Sequence, residues 1–526
     1  MPQNDNSVAL ENILWNCRVA LRGIGSTEKN RDAVISLVFL KFAADKFERR
    51  RAELIAAHAE KFVDRTSFYA AANAFYISET ARWSYIVKNA AANDIAVIID
   101  KAMADIEKDN DVLKGALPLN LFTTLGAEKS RIKNLIDNVN KLDQDFFHEE
   151  DLIGRVYEYF LQAYAASGTK EDGEFYTPAC IVKLIAELIE PYKGVVYDPC
   201  CGSGGMFVQS LKFVDSHQGD RREISIVGQE SKPDTWRLCK MNLAIRGIIG
   251  YDLGTAPAST FTNDLHKDRK VDYVMANPPF NLKDWRGADE LQNDPRFIRA
   301  GFSVMPPVAN ANYAWILHIL SKLKNNGVAG FLLANGALNA GDVEYSLRKE
   351  IINRDVVEAI IVLPRDMFYT TDISVTLWIL NKNKNAALIN GRNLRDRSGE
   401  ILFIDLRRWD SYSEEIVIDK GKKKKKTVLI DEQISRVKNI FHSWQCGTDY
   451  SDIPELCRAV TLSEIRQNDF SLAPSTYIQF LDHDLDIDFN AEMSRIQNEM
   501  RELLAMEKIS QAMFTDSFRG IGYGID

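Results

Sequence analysis

Between residues 194 and 380, short β-rich runs alternate with helical stretches, and few soluble architectures accept that order. The strand candidates are 195–198, 224–229, 271–276, 328–333, 356–363 and 374–380. Helical patterns at 179–190, 205–214, 233–246, 311–324 and 343–353 fall between most of them. Strands and helices in this order pack as a doubly wound α/β sheet. Ligands in such sheets bind beyond the carboxyl ends of the strands, where the strand order reverses.

Residues 1–170 have a different character. Leu14, Ala20, Leu21, Val34, Leu37, Val38, Leu40, Phe42 and Ala43 recur at roughly helical spacing, which predicts a helical N-terminal domain. More helix is expected at 94–107, 129–140 and 150–166, and the charged run 46–53 reads as a solvated helix face. The α/β catalytic domain is expected to occupy 171–385, with an extension over 386–480 that holds one more strand at 401–406. A helical tail takes 481–526. Within it Met493, Ile496, Met500, Leu503, Leu504 and Met506 line a helix at 490–508, which faces a core or docks on a partner. The five lysines at 422–426 read as a solvated hairpin or loop, with a phosphate-contacting patch as the alternative.

Composition bounds the function. The net charge is −9 over 526 residues. Phosphate contacts dominate DNA affinity, so a chain this acidic that acts on DNA needs help with its grip. No segment approaches the ~18 uninterrupted apolar residues of a membrane helix. The first residues lack the basic start and apolar core of a signal peptide. Seven cysteines are scattered with no C-x-x-C pair, which argues against a zinc ribbon or a disulfide framework. A reducing cytoplasm is the expected location.

Three features carry chemistry. The run 271–276 stops at Asn277-Pro278-Pro279-Phe280. Neither proline can donate to a strand ladder and both fix φ. The Asn277 amide and the Pro278 carbonyl can then converge on one small group, with the Phe280 ring beside it. Two acceptors and a ring suit a planar, conjugated NH2. The first strand runs into Asp198-Pro199-Cys200-Cys201-Gly202-Ser203-Gly204-Gly205. These glycines let the backbone approach a ligand closely, and the following helix offers free N–H groups. Phe207 stands where the dinucleotide fingerprint needs a glycine, and the Walker pattern is absent. The second strand ends in Glu230, placed to accept from two ribose hydroxyls. Upstream, Glu174-Phe175-Tyr176-Thr177-Pro178-Ala179 precedes a helix. Thr177 is expected to cap that helix with Pro178 at its first position, while Phe175 and Tyr176 line a pocket beside the glycine loop. The third strand is poorly marked; Asn263-Asp264-Leu265 follows Phe261, and Asp264 is a candidate acceptor for an exocyclic amine.

Together these motifs resemble those of S-adenosylmethionine-dependent amino-methyltransferases. More narrowly, the chain resembles the modification (methyltransferase) subunit of type I restriction–modification systems, which makes N6-methyladenine in DNA. The likeness extends to Ile13-Leu14-Trp15, Leu21-Arg22-Gly23, Leu37-Val38-Phe39-Leu40-Lys41-Phe42, Asn335-Gly336 and Leu363-Pro364-Arg365-Asp366-Met367-Phe368. It departs at Cys200 and Cys201, where small residues are commoner, and at Ala334, where the family usually has proline.

The resemblance implies a Rossmann-like methyltransferase domain and a role for each matching residue. Tyr176, Thr177 and Pro178, with Ser203, Gly204 and Gly205, hold the methionine end of S-adenosylmethionine. Glu174, Phe175, Ala179, Asp198 and Gly202 complete the cofactor site. Glu230 takes the ribose hydroxyls, and Asp264 and Leu265 lie by the adenine. Asn277 and the Pro278 carbonyl accept from the substrate N6 amine, and Phe280 stacks on the base. No metal is required. A C5-cytosine enzyme needs a cysteine nucleophile, and Pro199-Cys200 offers the dipeptide, but Cys200 lies inside the cofactor loop and reads as a packing residue. The chain leaves little room for a DNA-reading domain. The resemblance supplies one in a separate specificity subunit, bound to two copies of this chain, and assigns cleavage to a restriction/translocase subunit. Methylation of a protein glutamine amide is the nearest rival, and a non-catalytic assembly subunit is another.

Overall fold

The computed structural model describes residues 5–142, 177–248, 250–368, 372–419, 422–481, 488–520 and 523. The helix expected at 150–166 lies outside these residues. Two compact units emerge, Met1–Ile478 and Gln479–Asp526.

The N-terminal part of the first unit is helical. Its main helices are α1 (Asp5–Ala20), α2 (Thr27–Ala56), α3 (Ile95–Asp109) and α4 (Lys129–Val139). Ser26 caps α2 by accepting from the Lys29 N–H at 3.3 Å. Residues 31–44 of α2 are buried on every face, which makes α2 the central helix of this bundle. The charged run beyond it faces outward at Glu48 and Arg49, but Phe47 is buried and stacks on Tyr69.

The remainder is built on one mixed sheet. In chain order come α5 (Ala179–Ile189), β1 (Gly194–Asp198), α6 (Gly205–Ser216), β2 (Ile224–Gly228), α7 (Pro233–Ile245) and β3 (Val271–Ala276). Then follow α8 (Asn312–Lys322), β4 (Leu323–Ala334), α9 (Asp342–Asn353), β5 (Val357–Val362), β6 (Val375–Asn381) and β7 (Glu400–Asp405). The unit ends with a hairpin of β8 (Ser413–Asp419) and β9 (Lys422–Thr427), then α10 (Asp431–Cys446) and β10 (Cys457–Thr461). The sheet order is β10-β7-β5-β6-β4-β3-β1-β2. β6 lies antiparallel between β4 and β5, and β10 is antiparallel to β7; the other pairs are parallel. Helices cover both faces, so central strands such as β5 are buried at every residue, hence their mostly apolar runs; Glu358, the exception in β5, is paired with Arg397 at 2.7 Å.

Strand order reverses at β1, which has β2 on one side and β3 on the other. The carboxyl ends of these three strands bear the glycine loop, Glu230 and the Asn-Pro-Pro-Phe turn. No strand forms at 263–265. Beside β2 there is only a bridge between Val227 and Asp252. The segment 386–480 joins the same sheet through β7 and β10. The five lysines form β9, paired with β8. Lys426 is an exception to the solvated reading: it is buried, with its ammonium 2.9 Å from Asp372.

One helix belongs to two cores. Trp236, Cys239 and Leu243 of α7 pack in the core beside the sheet, while Leu238, Met241, Ala244 and Ile245 pack in the core of the N-terminal helices. Among the described residues no helix is long and apolar enough to cross a membrane. In the second unit α11 (Phe489–Gly520) runs further than expected, and Phe489, Met500, Leu503, Met506, Ile509 and Met513 are all exposed along it.

Candidate active site

The glycine loop leaves β1 through Asp198, whose Oδ1 accepts from the Cys200 N–H at 3.0 Å. Gly204 has φ +83°, and an added Cβ there would meet the Cys239 sulfur at 2.9 Å. Only glycine fits that position without moving α7. From the same helix, Asn242 donates to the Ser203 carbonyl at 2.7 Å. Thus α7 sets the loop from beneath.

Glu230 faces the loop. Its Oε2 accepts from the Gly202 N–H at 3.1 Å and its Oε1 from the Lys232 N–H at 2.8 Å. Burial raises the Glu230 carboxyl above its ordinary pKa. Asp198 is pushed up to about 7, first by burial and further by the charge of Glu230. Buried carboxyls whose ionised form is penalised in this way favour a positively charged ligand beside them.

Gln229, fully buried beside Glu230, is a residue that sequence reasoning passed over. Its Nε2 donates to the carbonyls of Ala258 (3.0 Å) and Asn263 (2.7 Å), and its Oε1 accepts from the Leu265 N–H (3.1 Å). The segment 258–265 is therefore held against the end of β2 by one side-chain amide. A buried amide next to a strand-end acid was the available signal. Asp264 lies in this segment, but both its oxygens are engaged. Oδ1 accepts from the His266 N–H (3.0 Å), and Oδ2 sits 2.6 Å from the Lys322 ammonium.

Thr177 does not cap α5. The cap position belongs to Pro178, and no side chain closes it. The Thr177 hydroxyl instead accepts from the Asn277 amide Nδ2 at 2.8 Å. The local Thr-Pro sequence suits a cap, but the partner lies 100 residues away. With Nδ2 occupied, Asn277 Oδ1 is buried and has no hydrogen-bond partner among the described residues. A buried amide oxygen left unpaired costs on the order of 1–3 kcal/mol. Such orphans mark places where a ligand group is expected.

The turn is fixed at its far end too. The Asn281 N–H donates to Asn312 Oδ1 (3.1 Å), and Asn312 Nδ2 returns to Asn281 Oδ1 (2.8 Å). Pro278 is buried, and Phe280 lies 6.0 Å from Phe368 at 80°. The structure thus brings Thr177, Pro178, Asp198, Gly202, Ser203, Gly204, Gly205, Glu230 and Asn277 to one edge of the sheet. Ala179 is exposed at the start of α5. Glu174, Phe175 and Tyr176 lie outside the described residues. Burial and the charges of Asp198 and Glu230 raise the Cys200 thiol well above the ordinary range, which disfavours the thiolate a nucleophile needs.

A glycine loop, a strand-two acid and a strand-end Asn-Pro-Pro-Phe turn on one sheet edge define a class, the methyltransferases that act on amino groups. Comparison with known proteins narrows it. Residues 148–484 match the family described as N-6 DNA Methylase, and residues 10–142 match the HsdM N-terminal domain. The chain is 36% identical to the type I restriction enzyme HindI methylase subunit of Haemophilus influenzae, over 82% of this chain and 93% of that one. It is 33% identical to the MjaIX methylase subunit of Methanocaldococcus jannaschii, over 95% of this chain and 89% of that one. A type I restriction-modification methyltransferase subunit from Streptococcus thermophilus shares the fold, with a TM-score of 0.72, 24% identity, and coverage of 90% of this chain and 100% of that one. The chain belongs to the N-6 DNA methylase family, among the methylase subunits of type I restriction enzymes.

Proposed function

We propose that this chain moves a methyl group from S-adenosylmethionine to N6 of an adenine flipped out of DNA, with the site chosen by a separate specificity subunit. The observation that carries this reading is the buried Oδ1 of Asn277, which has no partner among the described residues and is aimed by the bond from Nδ2 to Thr177. The adenine amine is flat because its lone pair is shared with the ring. Asn277 Oδ1 and the Pro278 carbonyl accept its two N–H bonds and draw them out of plane, which restores the lone pair for attack. Each such bond contributes only about 1 kcal/mol, so alignment supplies much of the remaining acceleration. The base must leave the duplex at a cost of a few kcal/mol, which stacking on Phe280 offsets.

S-adenosylmethionine supplies an electrophilic methyl on a sulfonium. Its methionine end is held by Tyr176, Thr177 and Pro178 with Ser203, Gly204 and Gly205, and Glu174, Phe175, Ala179, Asp198 and Gly202 complete that pocket. Glu230 takes the ribose hydroxyls, and the segment with Asp264 and Leu265 walls the adenine. Asp198 and Glu230 suit the cofactor's net positive charge. Two copies of this chain bind one specificity subunit through α11, the helical N-terminal domain closes on the DNA, and a restriction/translocase subunit joins the full complex in the cytoplasm. That division accounts for a net charge of −9 in a chain that modifies DNA.

The test is methyl transfer from labelled cofactor to methyl-free DNA, with and without the specificity subunit. Label in N6-methyladenine is expected when the subunit is present. No label in DNA, or label in protein glutamine instead, would overturn the reading.

A further inference from the structure

The segment 281–311 connects the Asn-Pro-Pro-Phe turn to α8, and it closes on itself. The Ala311 N–H donates to the Leu282 carbonyl (2.9 Å) and the Asp284 N–H to the Val308 carbonyl (3.0 Å). Trp285 Nε1 donates to the Pro307 carbonyl (2.8 Å). The Asn281–Asn312 clasp joins the two ends of the segment next to the turn.

Arg296 of this segment is buried, and all five of its N–H donors have partners. Nη1 donates to the Thr260 carbonyl (2.7 Å) and to His318 Nδ1 (3.1 Å). Nη2 donates to the Phe261 carbonyl (2.5 Å) and to Asp294 Oδ2 (2.7 Å). Nε donates to Asp294 Oδ1 (2.8 Å). Asp264 Oδ2 lies 3.8 Å away. Burial, with the charges of Arg296 and Lys322, holds the His318 pKa well below its usual value. The ring is therefore neutral, accepts at Nδ1, and keeps its proton on Nε2, 3.1 Å from the Tyr197 hydroxyl of β1.

The two carbonyls that Arg296 grips belong to the wall 258–265. That wall is tied to the rest of the cofactor pocket at three further places. The Thr260 hydroxyl donates to the Pro199 carbonyl in the glycine loop. The Ala258 N–H donates to the Glu230 carbonyl at 2.9 Å. Gln229 holds the wall from the other side. The Phe261 ring also packs on Trp285 of the segment, 4.6 Å between centroids. The segment that leaves the base-holding turn and the wall of the nucleoside pocket thus share one guanidinium.

We propose that Arg296 is a positioning residue that makes the target-base turn and the cofactor's nucleoside wall a single unit, so that seating adenine in DNA strengthens cofactor binding and the reverse. This rests on the function proposed above. A lysine has three donors and no planar fork, so it cannot replace the five bonds that Arg296 makes.

The experiment measures S-adenosylhomocysteine affinity of the complex with its specificity subunit, with and without methyl-free genomic DNA, for wild type, Arg296→Lys and Asp294→Asn. Wild type should bind the cofactor product at least ~5-fold tighter with DNA, the low end of ordinary site-to-site coupling. Arg296→Lys should bring that ratio close to one, and Asp294→Asn should reduce it in part while leaving the guanidinium in place. If Arg296→Lys unfolds, the ratio in Asp294→Asn decides. A wild-type ratio of one, or an unchanged ratio in a folded Arg296→Lys or Asp294→Asn, would sink the proposal. A wild-type complex that labels no DNA is a different failure, that of the function itself.

Discussion

At the scale of single residues, the site turns on which way one amide points. Asn277→Ala removes the acceptor without touching the prolines, and transfer should fall by ~100-fold or more, as when one preorganised polar group is lost. Retention of wild-type labelling would refute the role. Thr177→Val keeps the bulk but frees the Asn277 amide to rotate. The loss should be about 1 kcal/mol, about fivefold in kcat at saturating cofactor, with the melting temperature unchanged. Asp198 gives a pH signature. Its carboxyl sits at about 7 in the free protein, and a cationic ligand favours the ionised form. Binding therefore expels a proton below pH 7, so affinity for S-adenosylmethionine should rise from pH 6 to pH 8. In Asp198→Asn it should be weaker and flat over that window, as calorimetry at several pH values would show. At this scale the sequence disclosed the residue types but not their partners. Asn277, Glu230 and the glycines stand in recognisable local patterns, whereas the Thr177 hydroxyl looks like a helix cap until Asn277 is seen beside it. Gln229 and Arg296 act mainly through contacts distant in the chain, and the acid beside Gln229 is the one local hint of either.

Elements were legible where burial imposed a period. The strands β1, β3, β5 and β6 are mostly apolar because helices cover both sheet faces, and their bounds fell within a residue or two of expectation. The strand sought near Asp264 does not exist because a side chain, Gln229, does the holding that a backbone ladder would do elsewhere. Such a loop has no periodicity to detect. Helix α7 carries a different lesson. Its two apolar faces look like one wide stripe in sequence, yet each serves a different core. Met241 is buried on the N-terminal side. Met241→Ala should cost about 2–4 kcal/mol in urea unfolding. It should also weaken S-adenosylhomocysteine binding, because Cys239 and Asn242 on the same helix set the glycine loop. Normal affinity in the destabilised protein would show that the two faces act independently.

On the scale of the whole molecule, the chain divides into two units, and the second carries the long helix α11. Truncation after Ile478 should leave thermal unfolding and cofactor affinity of the first unit unchanged while abolishing co-purification with the specificity subunit. If the truncated chain still co-purifies, α11 is not the docking element. The sequence marked this helix by its exposed-side methionines and leucines but could not say whether they met a core. The sharing of α7 also bears on how such proteins recombine. A graft that exchanges the helical N-terminal domain at a seam near residue 170 would transplant α2 to α4 but leave Leu238, Met241, Ala244 and Ile245 behind, facing a foreign surface. Viable hybrids should therefore carry α7's outer face along with the domain they import, and lineages that trade this domain should change those four positions in step with it.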